Sequence, residues 1–338
     1  MIAHIVFNNY AYDQRVKKEV NALKEDNHVV KVIAKENGDI NFRTKNYPQF
    51  LLLTFKSLFK LKPTIIHAHD WYGLLPAFFY SVFIKNFLIY DSHELYFNRK
   101  MQLREKIIVA IEKLALLKVN KIICANEYRA RIFKLVHKTN DILIISNSYF
   151  SNTLDLDKLN LEKLNIVYMG SMSLARNIEK WIKALLDIEN VNLHLIGNGP
   201  DYDYLRSNYE KHSVFFYGNL THSEMKSIMK LMHVGIISYN EEGLNNYYCE
   251  PNKVGEYAYF GLPFISNYNY TLNLIERKYK IGFTLKQINK DSIQRTIQEI
   301  ISNYDLLQMN LNLFMIKNSW VSTPYPIMKR SVITRVKR

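Results

Sequence analysis

Cys249-Glu250-Pro251-Asn252-Lys253-Val254-Gly255-Glu256-Tyr257-Ala258-Tyr259-Phe260-Gly261-Leu262-Pro263 reads as one short helix with both ends marked. Pro251 suits the first helical turn, where its missing N–H costs nothing and its fixed φ is already helical. Gly261 stands where a left-handed cap is wanted, and Pro263 forbids continuation. The apolar run Leu262-Pro263-Phe264-Ile265-Ser266 then predicts a short buried strand. Upstream, Val234-Gly235-Ile236-Ile237-Ser238-Tyr239 predicts another, followed by a polar loop from Asn240 to Tyr248. The order is strand, loop, helix, strand, with Glu256 about a turn and a half inside the helix. A helix N-terminus at the carboxyl ends of parallel strands is a ready anion site, because its first amides are unpaired and its dipole favours negative charge. An ordinary crossover helix satisfies the same spacing.

Working outward, 338 residues are too many for one ordinary core, and two domains are expected. A hydrophobic fraction of 48% with 22% charged residues excludes a disordered chain. No apolar run approaches the length of a membrane span. The N-terminal Met1-Ile2-Ala3-His4-Ile5-Val6-Phe7 has no basic stretch or small-residue cleavage site and reads as a first strand, not a signal peptide. Cys124 and Cys249 offer neither a disulfide framework nor metal spacing, so a reducing, cytoplasmic location is expected. The net charge of +14 calls for an anionic partner. Nucleic acid is not expected, since there is no zinc spacing and no RNA-binding aromatic signature. Phosphate-bearing substrates fit, as does an anionic membrane touched peripherally by the basic tail from Lys329 to Arg338 or by the basic amphipathic segment 50–62. A solvated terminus and a helix packed on a sheet are the plainer readings of those two segments.

Short apolar runs alternate with helical-period segments along the whole chain, the pattern of parallel α/β sheets. In the first half, strands are predicted at 4–7, 28–33, 64–70, 87–94, 121–125 and 142–147, with helices at 13–23 and 104–117. Two of these strands end in polar residues, His67-Ala68-His69-Asp70 and Asp91-Ser92-His93-Glu94. Ligands of open α/β sheets collect outside the carboxyl ends of strands, so these groups are catalytic candidates, or caps of the next helix. The polar stretch 151–163 predicts a linker. A second series follows, with strands at 164–170, 191–197 and 213–218 and helices at 178–188 and near 222. The latter helix opens on a capping box, Thr221 with Glu224. A helix over 292–304 and a loosely patterned tail complete the chain.

Gly170-Ser171-Met172-Ser173-Leu174-Ala175-Arg176 is a strand-to-helix loop able to wrap a phosphate, with amides near Ser171 and the guanidinium of Arg176. It is neither a Walker A loop nor a Gly-x-Gly-x-x-Gly fingerprint. Gly197-Asn198-Gly199-Pro200 and Gly218-Asn219-Leu220 are turns at two further strand ends. Lys253 and Glu256 share a helix face at i, i+3, where a plain ion pair also fits.

Taken in order, these segments resemble the retaining glycosyltransferases of family 4, also called glycosyl transferases group 1, which have the GT-B fold. Asp13-Gln14-Arg15-Val16 with Glu19 is similar to their Asp-x-Arg-Val-x-x-Glu segment. His67-Ala68-His69-Asp70 and Tyr90-Asp91-Ser92-His93-Glu94 resemble two further signatures of the N-terminal domain. Gly170 to Arg176, Ile196 to Pro200, Val214 to Gly218, and Pro251-Asn252-Lys253-x-x-Glu256-Tyr257 with Gly261-Leu262-Pro263 are similar to the C-terminal series. The likeness runs over about residues 1–300. It implies two Rossmann-like domains whose parallel sheets face a central cleft, an acceptor-side domain over 1–155 and a nucleotide-sugar-binding domain over 164–310. The tail, 311–338, would return to the first domain.

The resemblance also implies roles. Glu256 would bind the ribose hydroxyls of a nucleotide-diphosphate-sugar donor, and amides around Lys253 and Val254 would hold its diphosphate. Arg176 would neutralise that group as it leaves, with Ser171 and Gly199 beside it. Asn219 and Leu220 fall in the base-binding loop, and His93 would face the donor sugar. The reaction would be retaining hexosyl transfer to a glycan or lipid-linked acceptor in cell-surface polysaccharide synthesis. No metal and no cofactor beyond the donor are expected. Two positions depart from the family pattern: its first glutamate falls on Tyr248, with Glu242 and Glu250 nearby, and its usual arginine after the first C-domain strand is Ser171. These departures keep a catalytically inactive nucleotide-sugar binder open, and the shared fold keeps a nucleotide-sugar epimerase open.

Overall fold

The computed structural model describes residues 1–44, 46–98, 101–139, 141–146, 148, 161–211, 213–240, 243–249, 251–320 and 325–326. Most of the expected linker, the basic tail, Glu242 and Glu250 lie outside them. Met1–Ser146 and Asn147–Pro326 form two compact units.

The first unit runs β1 (Ile2–Asn9), α1 (Gln14–Glu25), β2 (Val30–Glu36), β3 (Ile40–Asn41), α2 (Tyr47–Leu61), β4 (Ile65–His69), α3 (Asp70–Phe83), β5 (Phe87–Ser92), α4 (Leu103–Ala115), β6 (Lys121–Cys124), α5 (Glu127–His137) and β7 (Ile142–Ile144). Its 7-stranded sheet is ordered β3-β2-β1-β4-β5-β6-β7, with every pairing parallel. Helices cover both faces of such a sheet, so central strands are buried throughout and lose the alternating pattern. All five residues of β4 are buried. One face carries Ala3, Ile5, Ile66, Ala68, Leu88 and Tyr90 into an apolar core. The other face places His4 beside His67 and His69 beside Asp91 by strand register. Helix α2 fills the basic segment and buries Phe50, Thr54 and Leu58 at helical spacing, leaving Leu52 and Phe59 exposed.

The second unit runs β8 (Leu164–Met169), α6 (Ile178–Leu186), β9 (Val191–Ile196), α7 (Tyr202–Tyr209), β10 (Val214–Gly218), α8 (His222–Met229), β11 (Val234–Ile237), α9 (Leu244–Tyr247), α10 (Asn252–Tyr259), β12 (Phe264–Asn267), α11 (Tyr270–Tyr279), β13 (Gly282–Leu285), α12 (Lys290–Ser302) and α13 (Tyr304–Asn318). Its 6-stranded parallel sheet is ordered β10-β9-β8-β11-β12-β13. The helix anticipated at 251–260 is α10, with one correction. Pro251 is its N-cap, with φ −69° and ψ 137°, and not a residue of its first turn. Gly261 adopts the expected left-handed conformation, φ 68°. The capping box of Thr221 and Glu224 is formed. The tail read as loosely patterned is α13, which packs on α10, α11 and α12 within this unit. It buries Leu307, Leu311, Phe314 and Met315, while exposed Leu306, Met309, Leu313 and Ile316 blur its period.

Helix α10 is pinned by one side chain. The Tyr257 ring is fully buried, and an added Cβ on Gly235 of β11 would lie 2.3 Å from it. The Tyr257 hydroxyl donates to the Ile236 carbonyl (3.0 Å) and accepts from the Met169 amide (3.2 Å). Gly235→Ala should therefore force the ring off its bonds, at about 1–3 kcal/mol for an overpacked core. Tyr257→Phe, which keeps the ring, should cost about 1 kcal/mol. Urea unfolding measures both, and a Gly235→Ala protein as stable as wild type would refute this account of the α10 anchor.

Candidate functional site

At the carboxyl ends of β8 and β11, Tyr168, Arg176, Ser238, Tyr239, Asn252, Lys253 and Glu256 are among the residues lining a pocket of about 180 Å³. Arg176 ends a single 3₁₀ turn, Leu174–Arg176, inserted between β8 and α6. Its carbonyl accepts from the Ser238 hydroxyl at 2.5 Å, and its guanidinium lies 5.5 Å from the Tyr239 ring centre. Burial raises the Tyr168 phenol, and the nearby Arg176 opposes that rise. Lys253 and Glu256 form the i, i+3 ion pair, both partly exposed to the pocket. A cation on a fixed turn, a second cation and a carboxylate thus share one concavity.

Two loops build the pocket's neighbourhood. Gly197 has φ +124°, and a Cβ on it would fall 2.1 Å from the Gly170 carbonyl. A Cβ on Gly199 would meet the Met172 carbonyl at 2.4 Å. Glycine at both positions lets the Gly170–Arg176 loop lie directly on the Gly197–Pro200 turn. The Met172 amide donates to the Asn198 carbonyl, and the Leu174 amide to the Asp201 carboxylate.

The structure brings Arg176, Lys253 and Glu256 together, and leaves other anticipated residues outside the lining of this pocket. The Ser171 carbonyl accepts from the Tyr168 hydroxyl (2.9 Å). Asn219 is exposed, and Leu220 packs against the core cluster that holds Tyr257. The Val254 side chain is buried, and its amide donates to the Pro251 carbonyl (3.1 Å) instead of pointing free at an anion. Tyr248 ends α9 with its ring edge-on to Tyr247 and Tyr270, so an aromatic cluster stands where a carboxylate was anticipated. Sequence reasoning passed over Tyr168, Tyr239 and Asn252, for which their places at strand ends and the helix start were the available signal. A second pocket of about 390 Å³ shares Tyr239 and is lined also by Asn240, Asn246, Tyr247, Tyr268, Asn269 and Lys286.

His93 belongs to the first unit, in a buried polar cluster under α1. Arg15 donates to both Asp91 oxygens, at 2.9 and 3.0 Å, with 7% and 0% of the two side chains exposed. Burial alone would raise the Asp91 carboxyl, but Arg15 and His93 hold it well below the usual range. His93 Nε2 lies 3.2 Å from Asp91 and 3.1 Å from His69 Nδ1. Burial opposes its protonation, yet Asp91 and Asp70 push its pKa up to about 9. Asp70 is left-handed, φ 52°, and its carboxylate accepts from the His93 amide, so backbone strain at this strand-to-helix junction is tied to His93. Both cysteines are buried thiols outside any disulfide, and Cys249 Sγ accepts from the Asn269 side-chain amide at 3.5 Å.

The sequence profile described as glycosyl transferases group 1 matches residues 155–317. Among curated proteins, none matches the chain. Solved structures do match over nearly the whole length. Sucrose-phosphate synthase from Thermosynechococcus elongatus is 16% identical at a TM-score of 0.73, covering 100% of this chain and 99% of that one. HepE of Anabaena, solved in complex with UDP-glucose, is 12% identical at 0.73, covering 97% and 98%. WaaG, a glycosyltransferase involved in lipopolysaccharide biosynthesis, is 11% identical at 0.71, covering 98% and 100%. At these identities the likeness is one of fold, and that fold is GT-B.

Asp91 supplies a test that needs no relative. Asp91→Asn would remove the carboxylate that Arg15 grips with two hydrogen bonds, with Glu19 3.6 Å away, at a cost of about 3–5 kcal/mol. Because the folded Asp91 carboxyl is depressed, its contribution is complete above about pH 4 and fades as pH falls through the lowered value. Urea unfolding of both proteins should show a gap that grows as pH falls from about 9 to 6, while His93 takes its proton beside Asp91, and that closes only in acid below about pH 4. A gap that closes between pH 7 and 5 would overturn the assignment of Asp91 as a buried charged partner of Arg15 and His93.

Proposed function

Residues 155–317 match the glycosyl transferases group 1 family, and from that match we propose that the protein is a retaining, metal-independent glycosyltransferase using a nucleotide-diphosphate-sugar. The observation that carries this reading is the convergence of Arg176, Lys253 and Glu256 on one pocket at the carboxyl ends of parallel strands. On donor binding the Lys253–Glu256 pair opens. Lys253 and Arg176 meet the diphosphate, and Glu256 accepts from the ribose hydroxyls. In the reaction the bond from the anomeric carbon to the diphosphate oxygen breaks and a bond to an acceptor hydroxyl forms on the same face. The acceptor proton passes to the departing diphosphate. Negative charge grows on that leaving group, so two fixed cations beside it act where the transition state needs them, the role a metal fills elsewhere. His93 faces the donor sugar in this reading. HepE, with UDP-glucose bound, supports a nucleotide-sugar donor.

The acceptor in this proposal is a glycan or lipid-linked sugar, the setting is the cytoplasm at the inner membrane face, and the product serves cell-surface polysaccharide. No nucleic acid takes part. Among the described residues no helix is long and apolar enough to cross a membrane. A peripheral contact is supported by α2, where exposed Lys56 and Lys60 adjoin Leu52 and Phe59, and the Phe59 ring lies 6.4 Å from the exposed Phe83. The rings around Tyr248 favour one second reading, a protein that binds the donor without transferring its sugar.

Thermal unfolding with nucleoside diphosphates and their sugars should show a raised midpoint for one base. Arg176→Ala and Glu256→Gln should each lower transfer about 10²–10³-fold while the fold is kept. Wild-type turnover in both would end the site assignment, and donor binding without product from any acceptor would establish the binder. NMR of the product's anomeric configuration tests retention, and an epimerised donor in the absence of acceptor would mark an epimerase instead. Sedimentation with vesicles of anionic lipid should fall with Lys56→Glu and Lys60→Glu, and unchanged binding would remove α2 from the membrane contact.

A further inference from the structure

Four potential ligands meet inside the first unit with part of their bonding capacity unused. His4 on β1, His67 and His69 on β4, and Glu19 on α1 are 0%, 2%, 3% and 0% exposed. One nitrogen from each histidine and one Glu19 oxygen lie within 4.8 Å of one another. Both Glu19 oxygens, His67 Nε2 and His4 Nε2 have no hydrogen-bond partner. Buried polar atoms are rarely left so, because an unmade bond leaves the desolvation of the group uncompensated. Here four such atoms lie in a single cluster.

The separations around Glu19 fit an ion better than they fit hydrogen bonds, while His69 Nε2 and His4 Nδ1 share a hydrogen bond. Glu19 Oε2 is 3.7 Å from His67 Nε2 and 4.0 Å from His69 Nε2, both too long for a good bond. His69 Nε2 is 3.0 Å from His4 Nδ1. Ligands about 2.0–2.2 Å from a tetrahedral zinc stand about 3.3–3.6 Å from each other, between these values. We propose that His4, Glu19, His67 and His69 form a closed four-ligand site for a divalent transition metal, Zn²⁺ by preference. Three imidazoles and a carboxylate suit zinc and exclude the hard, all-oxygen sites of calcium and magnesium. The site has no exposed ligand, so the metal is structural, and its place in sugar transfer is at most to hold His93 in position.

Charge and tautomer agree with this. Glu19 and Asp91 are two carboxylates facing the single guanidinium of Arg15. His93 Nε2 lies 3.2 Å from Asp91, at the edge of the cluster. With His69 Nε2 on the metal, its Nδ1–H faces the Asp91 carboxylate (3.6 Å), the usual partner of a ligating histidine, while His93 Nε2 (3.1 Å) can accept from it only as the neutral imidazole.

The test is elemental analysis of the full chain, purified without a polyhistidine tag, treated with excess Zn²⁺ and desalted. About one zinc per chain should remain, fall well below half in Glu19→Gln and His67→Asn, and persist in Lys253→Ala, whose pocket is separate. No retained zinc, or undiminished zinc in folded Glu19→Gln and His67→Asn, overturns the site. Should those variants fail to fold, the wild type loaded with Co²⁺ decides. Intense visible absorption of four-coordinate cobalt supports the site, and the weak spectrum of six-coordinate cobalt refutes it. Metal content is read without any sugar donor, so this result stands or falls apart from the proposed transferase activity.

Discussion

The seating of Tyr257 on Gly235 is the constraint from which the second unit's pocket follows. A glycine in a buried strand weakens it unless something occupies the vacated space. Here a tyrosine ring fills it, and the phenol bonds backbone groups of two strands, β8 and β11. That contact sets the height of α10 over the sheet. Glu256 precedes Tyr257, and Lys253 lies one turn before, so both point from the same helix into the pocket. Arg176 arrives from the opposite side on a turn held by Ser238, which also accepts from the buried Trp181 indole (2.9 Å).

The first unit follows another logic. Its sheet has one apolar face and one that carries histidine and carboxylate groups beneath α1. Such a face is stable only when every charge has a counterpart. Arg15 supplies one for Asp91, and it lies on the buried side of α1 together with Glu19. The exposed rim of the same cluster is His93, 20% exposed, backed by Asp91 and Asp70.

Much of this was legible in the sequence, for identifiable reasons. Buried parallel strands bounded by turns left short apolar runs, and the strands read from them are present within a few residues. Gly261 and the Thr221 capping box were readable because each rests on a local steric or hydrogen-bonding rule. Pro251 was read one position too far inside because proline accommodates both the cap and the first turn. Helix α13 was hidden by apolar residues on its exposed side. At the site, local rules placed Lys253 and Glu256 on one helix face, but only their order among the other segments connected them to Arg176. Glu19 stands in a short motif and His4 in none, but their meeting depends on strand register and the packing of α1, which spacing does not record.

The two zipped glycine loops have a thermodynamic meaning for any ligand of the second unit. Gly197 and Gly199 let the loop bearing Arg176 share backbone bonds with its neighbour, so the guanidinium is displayed from a platform already ordered in the free protein. Binding there freezes few new backbone torsions, and the entropic penalty that weakens loop-borne sites is largely absent. An anionic ligand there would be met by preorganised charge and not by charge that must first be ordered.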